Sequence, residues 1–190
     1  PVIFITQSDC QTIRQHVGNG LEATIVSPTN DGPSEIDGDF DNGVIAHEYG
    51  HGISNRLTGG PGAAGCLRNY DVNNDNNAEG EQMGEGWSDF MSLITTVRST
   101  DDGAMARGIG NYVDGLPTTG GGIRRFPYST DMGVNPLTYS WASGESVPHG
   151  VGATWCTMIW DMYWALVDKH GFDEDLYAGM GGNNLAVRYV

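Results

Sequence analysis

The chain has 190 residues, 38% of them apolar, with 9 basic against 24 acidic side chains for a formal charge of −15. That length fits one domain, or one and part of another, and can bury a core without disulfide staples. All the basic residues but Lys169 are arginines and no basic run exists, which excludes a nucleic-acid footprint and an anionic-membrane patch. Gly contributes 29 residues without a short period and charged residues only 17%, a loop-rich globular balance of the kind found in extracellular proteins. Of the three cysteines, Cys156 falls in an apolar helical stretch and reads as a buried thiol, leaving Cys10 with Cys66 as the pair to test.

Residues 1–42 hold short β-favouring runs at 2–6 and 23–26, separated by Gly, Asn, Pro and Asp, and read as strands and turns. No helix longer than a turn or two is expected there. Residues 43–57 read as a helix, capped by Asp41 or Asn42 and stopped by Gly59-Gly60-Pro61. Turns follow to residue 80. Met83, Trp87, Phe90, Met91, Ile94 and Val97 recur at three and four residues and predict an amphipathic helix over 81–98. Residues 99–148 read as a long ordered loop. Residues 149–169 are apolar almost all round and predict the central buried helix. The apolar stretch 151–167 carries Asp161 and is not a simple membrane span. The opening at Pro1 shows no signal peptide, and a new helix begins near the last residue, so the chain reads as a piece of a longer protein whose flanking segments complete it.

His47-Glu48-Tyr49-Gly50-His51 is an H-E-x-x-H pattern. Residues four apart on a helix project from nearly the same face, so His47 and His51 can share one Zn²⁺ while Glu48 reaches water at the metal's open position. With this composition the pattern arises by chance about once in two hundred sequences. Gly50 and Gly52 would each cost about 1 kcal/mol in an ordinary helix, which predicts another backbone close by. Such a site needs a third protein ligand, and Glu85 on the following helix is the candidate. Asp89, one turn later, is placed to accept the outer N–H of a ligand imidazole.

The stretch from His47 through Ser54, Asn55, Arg56 and Leu57 to Pro61, followed by Gly84-Glu85-Gly86-Trp87-Ser88-Asp89-Phe90, resembles the signature of the fungalysin-type secreted zinc metalloendopeptidases, relatives of thermolysin. The similarity continues through Gly122-Ile123-Arg124, Tyr128-Ser129-Thr130-Asp131 and Val147-Pro148-His149, covering roughly residues 37–190. It implies an α+β fold with a thermolysin-like zincin core: N-terminal strands and turns over 1–42, a mainly helical catalytic region over 43–190, and the active-site helix between them. It implies one zinc held by His47, His51 and Glu85, Glu48 as general base, Asp89 orienting a ligand imidazole, and His149 stabilising the transition state. Arg124 matches an arginine that holds a substrate carbonyl in thermolysin relatives; an ordinary salt-bridged arginine is the equal alternative. Tyr70 and Tyr128 are the candidates for a tyrosine assisting His149. The implied partners are protein and peptide substrates, and the implied location is extracellular.

Asp71, Asn73, Asp75 and Asn77 alternate like the start of a calcium loop. Asn76 stands where such a loop has Gly and Gln82 where it ends on Glu, so calcium and a solvated Asn-rich loop both stay open. Asp37, Asp39 and Asp41 form a second oxygen-rich run, readable as calcium ligands or as helix capping. Three rivals accompany the endopeptidase reading. One is an aminopeptidase, for which no anchor for a substrate amine is recognisable. Another is a catalytically inactive zinc-stabilised binding or adhesion module. The last is a carboxylate acid/base hydrolase, for which none of the acidic pairs has comparable spacing.

Overall fold

The structure, a computed structural model, describes residues 7–15, 36–67 and 81–190. The chain divides into two units, Pro1–Glu35 and Ile36–Val190. In the first, α1 spans Gln7–Arg14, a two-turn helix in a segment whose composition predicted strands and turns. It carries no apolar stripe to announce it; Arg14 in its last turn complements the helix dipole. The predicted β runs at 2–6 and 23–26 lie outside the described residues.

The second unit is mainly helical, with α2 at Asn42–Gly59, α3 at Gln82–Ile94, α4 at His149–His170 and α5 at Gly182–Tyr189. The Asp41 carboxylate starts α2 by accepting from the N–H groups of Gly43 and Val44 at 2.8 and 3.2 Å, two donors that a helix start leaves unpaired. Gly60 closes it at φ 91°, with its N–H on the Arg56 carbonyl. α3 stops four residues short of the predicted end. The Thr95 and Thr96 hydroxyls turn back onto the carbonyls of Met91, Ser92 and Leu93, satisfying the last turn so that the chain can leave it.

α3 lies between α2 and α4, packed on both. A Cβ on Gly50 would sit 2.7 Å from the Ser88 Cα, and one on Gly152 would sit 2.5 Å from the Glu85 Cβ and 2.6 Å from the Gln82 carbonyl. These glycines let the backbones approach to distances that no side chain permits. Gly52 serves no such contact, since a Cβ there would meet only the Arg56 guanidinium at 3.4 Å.

The apolar core runs between α3, α4 and the long segment after α3: Phe90, Leu93, Ile109, Tyr128, Cys156, Trp160 and Tyr163 are all buried. α4 is central as its sequence predicts, with Trp160 stacked on Tyr163 at 5.0 Å and edge-on to Trp164. The predicted buried stripe of α3 is only partly the buried one. Met83 is exposed and Trp87 and Met91 are half-buried, whereas Glu85, Ser88, Asp89 and Ser92 are buried. The small and acidic side of α3 is thus covered as well as the side bearing Phe90, Leu93 and Ile94.

Residues 95–148 are ordered by short-range pairing rather than by sheets. Arg107 and Tyr128 exchange both backbone hydrogen bonds at 2.9 and 2.7 Å, and the Ile123 N–H reaches the Ile109 carbonyl at 2.9 Å. The second oxygen of Asp41 accepts the N–H groups of Tyr112 and Val113 at 3.0 and 3.2 Å, so the cap of α2 also anchors this segment. Cys66 and Cys156 carry free thiols, Cys66 donating to the Asn55 carbonyl. No helix among the described residues is long and apolar enough to cross a membrane.

Candidate metal centre

His47 and His51 leave α2 on one face, and Glu85 meets them from α3. The His47 Nε2 lies 3.2 Å from the His51 Nε2 and 3.3 Å from the Glu85 Oε2, and the His51 Nε2 lies 3.6 Å from the Glu85 Oε1. Two imidazole nitrogens and a carboxylate thus converge, all within 4.8 Å of one another, and could hold a metal ion. Among the described residues this is the one such group of His, Cys, Asp and Glu. Their spacing follows from the helix contacts, since Gly50 and Gly152 are the points at which α2 and α4 touch the backbone of α3.

Behind these three side chains lies a buried network of charge. The Nδ1 of His47 is 2.7 Å from the Asp89 Oδ1. Arg124 donates through Nε to Asp89 Oδ2 at 2.7 Å and through Nη2 to Asp89 Oδ1 at 2.9 Å, and Nη2 also approaches Glu85 Oε2 at 3.4 Å. Tyr128 donates its hydroxyl to Asp89 Oδ2. Asp89 is fully buried and Arg124 nearly so.

Burial alone would push the Asp89 carboxyl up, but the hydrogen bonds from His47 and Arg124 hold it below the usual carboxylate range. Burial likewise opposes charge on Glu85, and the His47 hydrogen bond and the neighbouring His149 outweigh it. His47 resists the same burial through its bonds to Asp89 and Glu85, and its pKa is lifted to about 9. His51 moves the other way, lowered by burial and by the charge of His47. Tyr128 stays a phenol, because burial and the Asp89 charge both raise its pKa.

Glu48 lies on the exposed side of α2, near enough to His51 for its charge to favour protonation there. His149 is the first residue of α4; its Nε2 is 3.4 Å from the Glu85 Oε1, and its side chain is 59% exposed. Arg124, read from sequence as either a substrate contact or a salt-bridged residue, is committed to Asp89 and Glu85. Its neighbour Arg125 points elsewhere, pairing with Glu145 at 2.7 Å over the Phe126 and Trp141 rings. The Asp37 carboxylate accepts from the Asp39 N–H, and both Asp41 oxygens are taken by backbone amides, the capping alternative for that run. Tyr70 and the Asp71, Asn73, Asp75 and Asn77 tract lie outside the described residues. Tyr128, a candidate from the family resemblance for assisting His149, is instead buried with its hydroxyl on Asp89, a place that nothing in the sequence indicated.

The chain matches the model of the fungalysin metallopeptidase family over residues 26–190, and it belongs to that family. It is 38% identical over 160 residues to extracellular metalloproteinase 2 of Trichophyton tonsurans, covering 81% of this chain and 24% of the relative. It is 42% identical over 138 residues to extracellular metalloproteinase MEP of Neosartorya fischeri, covering 73% of this chain and 20% of the relative. Over 135 residues it is also 42% identical to extracellular metalloproteinase 4 of Arthroderma otae, covering 71% and 19%. The chain spans a quarter or less of the length of these curated relatives.

Proposed function

We propose that this chain is the catalytic region of a secreted zinc metalloendopeptidase that hydrolyses internal peptide bonds of proteins. The observation that carries the reading is the convergence of the two imidazole nitrogens, 3.2 Å apart, on the Glu85 carboxylate, with His47 Nε2 3.3 Å from its Oε2 and His51 Nε2 3.6 Å from its Oε1. Zinc bonds of about 2.0–2.1 Å in a tetrahedron put ligand atoms about 3.3 Å apart. Two nitrogens and one carboxylate oxygen also form a zinc donor set that leaves a fourth position open. Secretion is carried by the similarity to extracellular metalloproteinases.

In this reading His47, His51 and Glu85 hold the metal. A bound zinc ion supplies a Lewis acid that polarises the scissile carbonyl and makes water acidic enough to attack near neutral pH. Glu48, exposed beside the ligand cluster, takes the proton from the attacking water and passes it to the leaving amine. His149 donates from its Nε2 to the oxyanion that develops at the carbonyl, acting where charge exists only in the transition state. Asp89 accepts from the Nδ1–H of His47 and so leaves the Nε2 lone pair facing Glu85 and His51. Arg124 neutralises part of the double negative charge of Asp89 and Glu85.

The test is Glu48→Gln in the intact protein, with bound metal measured by elemental analysis and cleavage by an internally quenched, doubly blocked peptide. The expected outcome is one zinc per chain in both proteins, chelator-sensitive internal cleavage in the wild type, and a loss of at least about a hundredfold in the variant, the usual weight of a general base. Wild-type protein that holds zinc without cleaving would mark a zinc-stabilised binding module instead. Cleavage by Glu48→Gln at the wild-type rate would remove Glu48 from the mechanism.

A further inference from the structure

We propose that Tyr128 is a positioning residue for the metal centre: its buried hydroxyl fixes the second oxygen of Asp89, and Asp89 in turn fixes the His47 imidazole. The inference rests on the reading of His47 as a zinc ligand. Asp89 is fully buried and meets donors on both oxygens. Oδ1 takes the His47 Nδ1 and the Arg124 Nη2, while Oδ2 takes the Arg124 Nε and the Tyr128 hydroxyl. A carboxylate loaded in this way cannot rotate without breaking a charge-assisted bond in a site that water does not reach.

Arg124 does not secure this alone. Its Nη2 is divided between Asp89 Oδ1 at 2.9 Å and Glu85 Oε2 at 3.4 Å, so any movement of Glu85 draws the guanidinium with it. Tyr128 shares no partner with Glu85. It is held by two backbone bonds to Arg107, and the Cys156 thiol of α4 lies against its hydroxyl. The ring is 1% exposed and sits within the core. The hydroxyl is therefore a fixed point, belonging to the core rather than to the site, against which the Asp89–His47 pair is set. Raised by burial, the phenol remains protonated, so it is always the donor and Asp89 always the acceptor.

The experiment is a zinc dissociation constant, measured on the intact protein by competition with a chromogenic chelator, for wild type, Tyr128→Phe, Asp89→Ala and the double variant. An outer hydrogen-bond partner of a metal ligand is worth about 10–100-fold in metal affinity, and Tyr128, one bond further out, is expected at the lower end, about tenfold. In the Asp89→Ala background the same change should have no further effect, because the hydroxyl acts only through that carboxylate. Tyr163→Phe is the control: it is equally buried, and its hydroxyl has no hydrogen-bond partner among the described residues, so zinc affinity should not move. If Tyr128→Phe is recovered only with zinc present, its rate of zinc loss to excess EDTA is read instead, and it should be about tenfold faster than wild type. Wild-type affinity or release in Tyr128→Phe, or a loosening that persists undiminished without Asp89, overturns the inference while leaving the zinc reading intact. Failure of the wild type to bind zinc overturns both.

Discussion

The helical layer and the long segment 95–148 hold the candidate site by different physics. α2, α3 and α4 set the distance between the candidate ligands through backbone contact: Gly50 against Ser88, and Gly152 against the Glu85 Cβ and the Gln82 carbonyl. The segment contributes no ligand, yet it delivers Arg124 and Tyr128 beneath Asp89, so it sets orientation and charge. Separation is thus governed by steric exclusion, which is short-ranged and insensitive to pH or salt. Orientation is governed by buried hydrogen bonds and ion pairs, which are strong only while every partner is present. The two devices should fail in recognisably different ways.

The largest effect is expected where the segment is cut from the helices. Arg124→Met leaves Asp89 and Glu85 buried without their cation, and breaking a buried pair from one side costs about 3–5 kcal/mol. Thermal unfolding of the metal-free variant reads this directly, and an unchanged midpoint would mean that the Arg124 ion pairs contribute nothing to the stability of the fold.

Next is the charge on His47. Its folded pKa of about 9 exceeds the unfolded value near 6.5, so protonated His47 stabilises the metal-free fold fully below pH 6.5. That stabilisation is lost as pH rises through 9 and amounts to at most about 3 kcal/mol. The melting temperature of chelator-stripped protein should therefore fall between pH 6.5 and 9, and His47→Gln should flatten that fall.

Gly152→Ala probes the steric device. Its Cβ would enter within 2.5 Å of the Glu85 Cβ and 2.6 Å of a backbone carbonyl, and overpacking of this kind costs about 1–3 kcal/mol. Because α3 must shift with Glu85 on it, zinc affinity should fall at every pH alike, unlike the pH-dependent change at His47. The smallest effect belongs to Arg125→Ala. Arg125 is 58% exposed although its Glu145 partner is only 8% exposed, so the change should cost about 1 kcal/mol, well below the loss at Arg124. Chemical denaturation of Arg124→Met and Arg125→Ala side by side then measures how differently two neighbours in sequence are used.

Much of the site was legible from residues alone because it is local. His47 and His51 share a face by helical spacing, Asp41 caps the helix that carries them, and Glu85 and Asp89 lie one turn apart on the next helix. α1 escaped because a short polar helix has no apolar period to reveal it. The buried face of α3 was misassigned in part for a related reason: periodicity marks where apolar residues recur, and here Glu85, Ser88 and Asp89 are covered along with Phe90, Leu93 and Ile94, polar residues that ordinarily signal exposure.

By itself the sequence determined the candidate ligand set, the helices bearing it and their limits to within a few residues, because helical spacing and capping depend on neighbours in the chain. Only the tertiary structure decided that Arg124 serves Asp89 and Glu85, that Gly50 and not Gly52 lies at a helix contact, and that Tyr128 stands under Asp89. Those contacts join residues 35 to 39 positions apart through a segment without periodicity. Their physics, mutual burial of opposite charges and the exclusion of a Cβ, exists only once the distant parts of the chain have met.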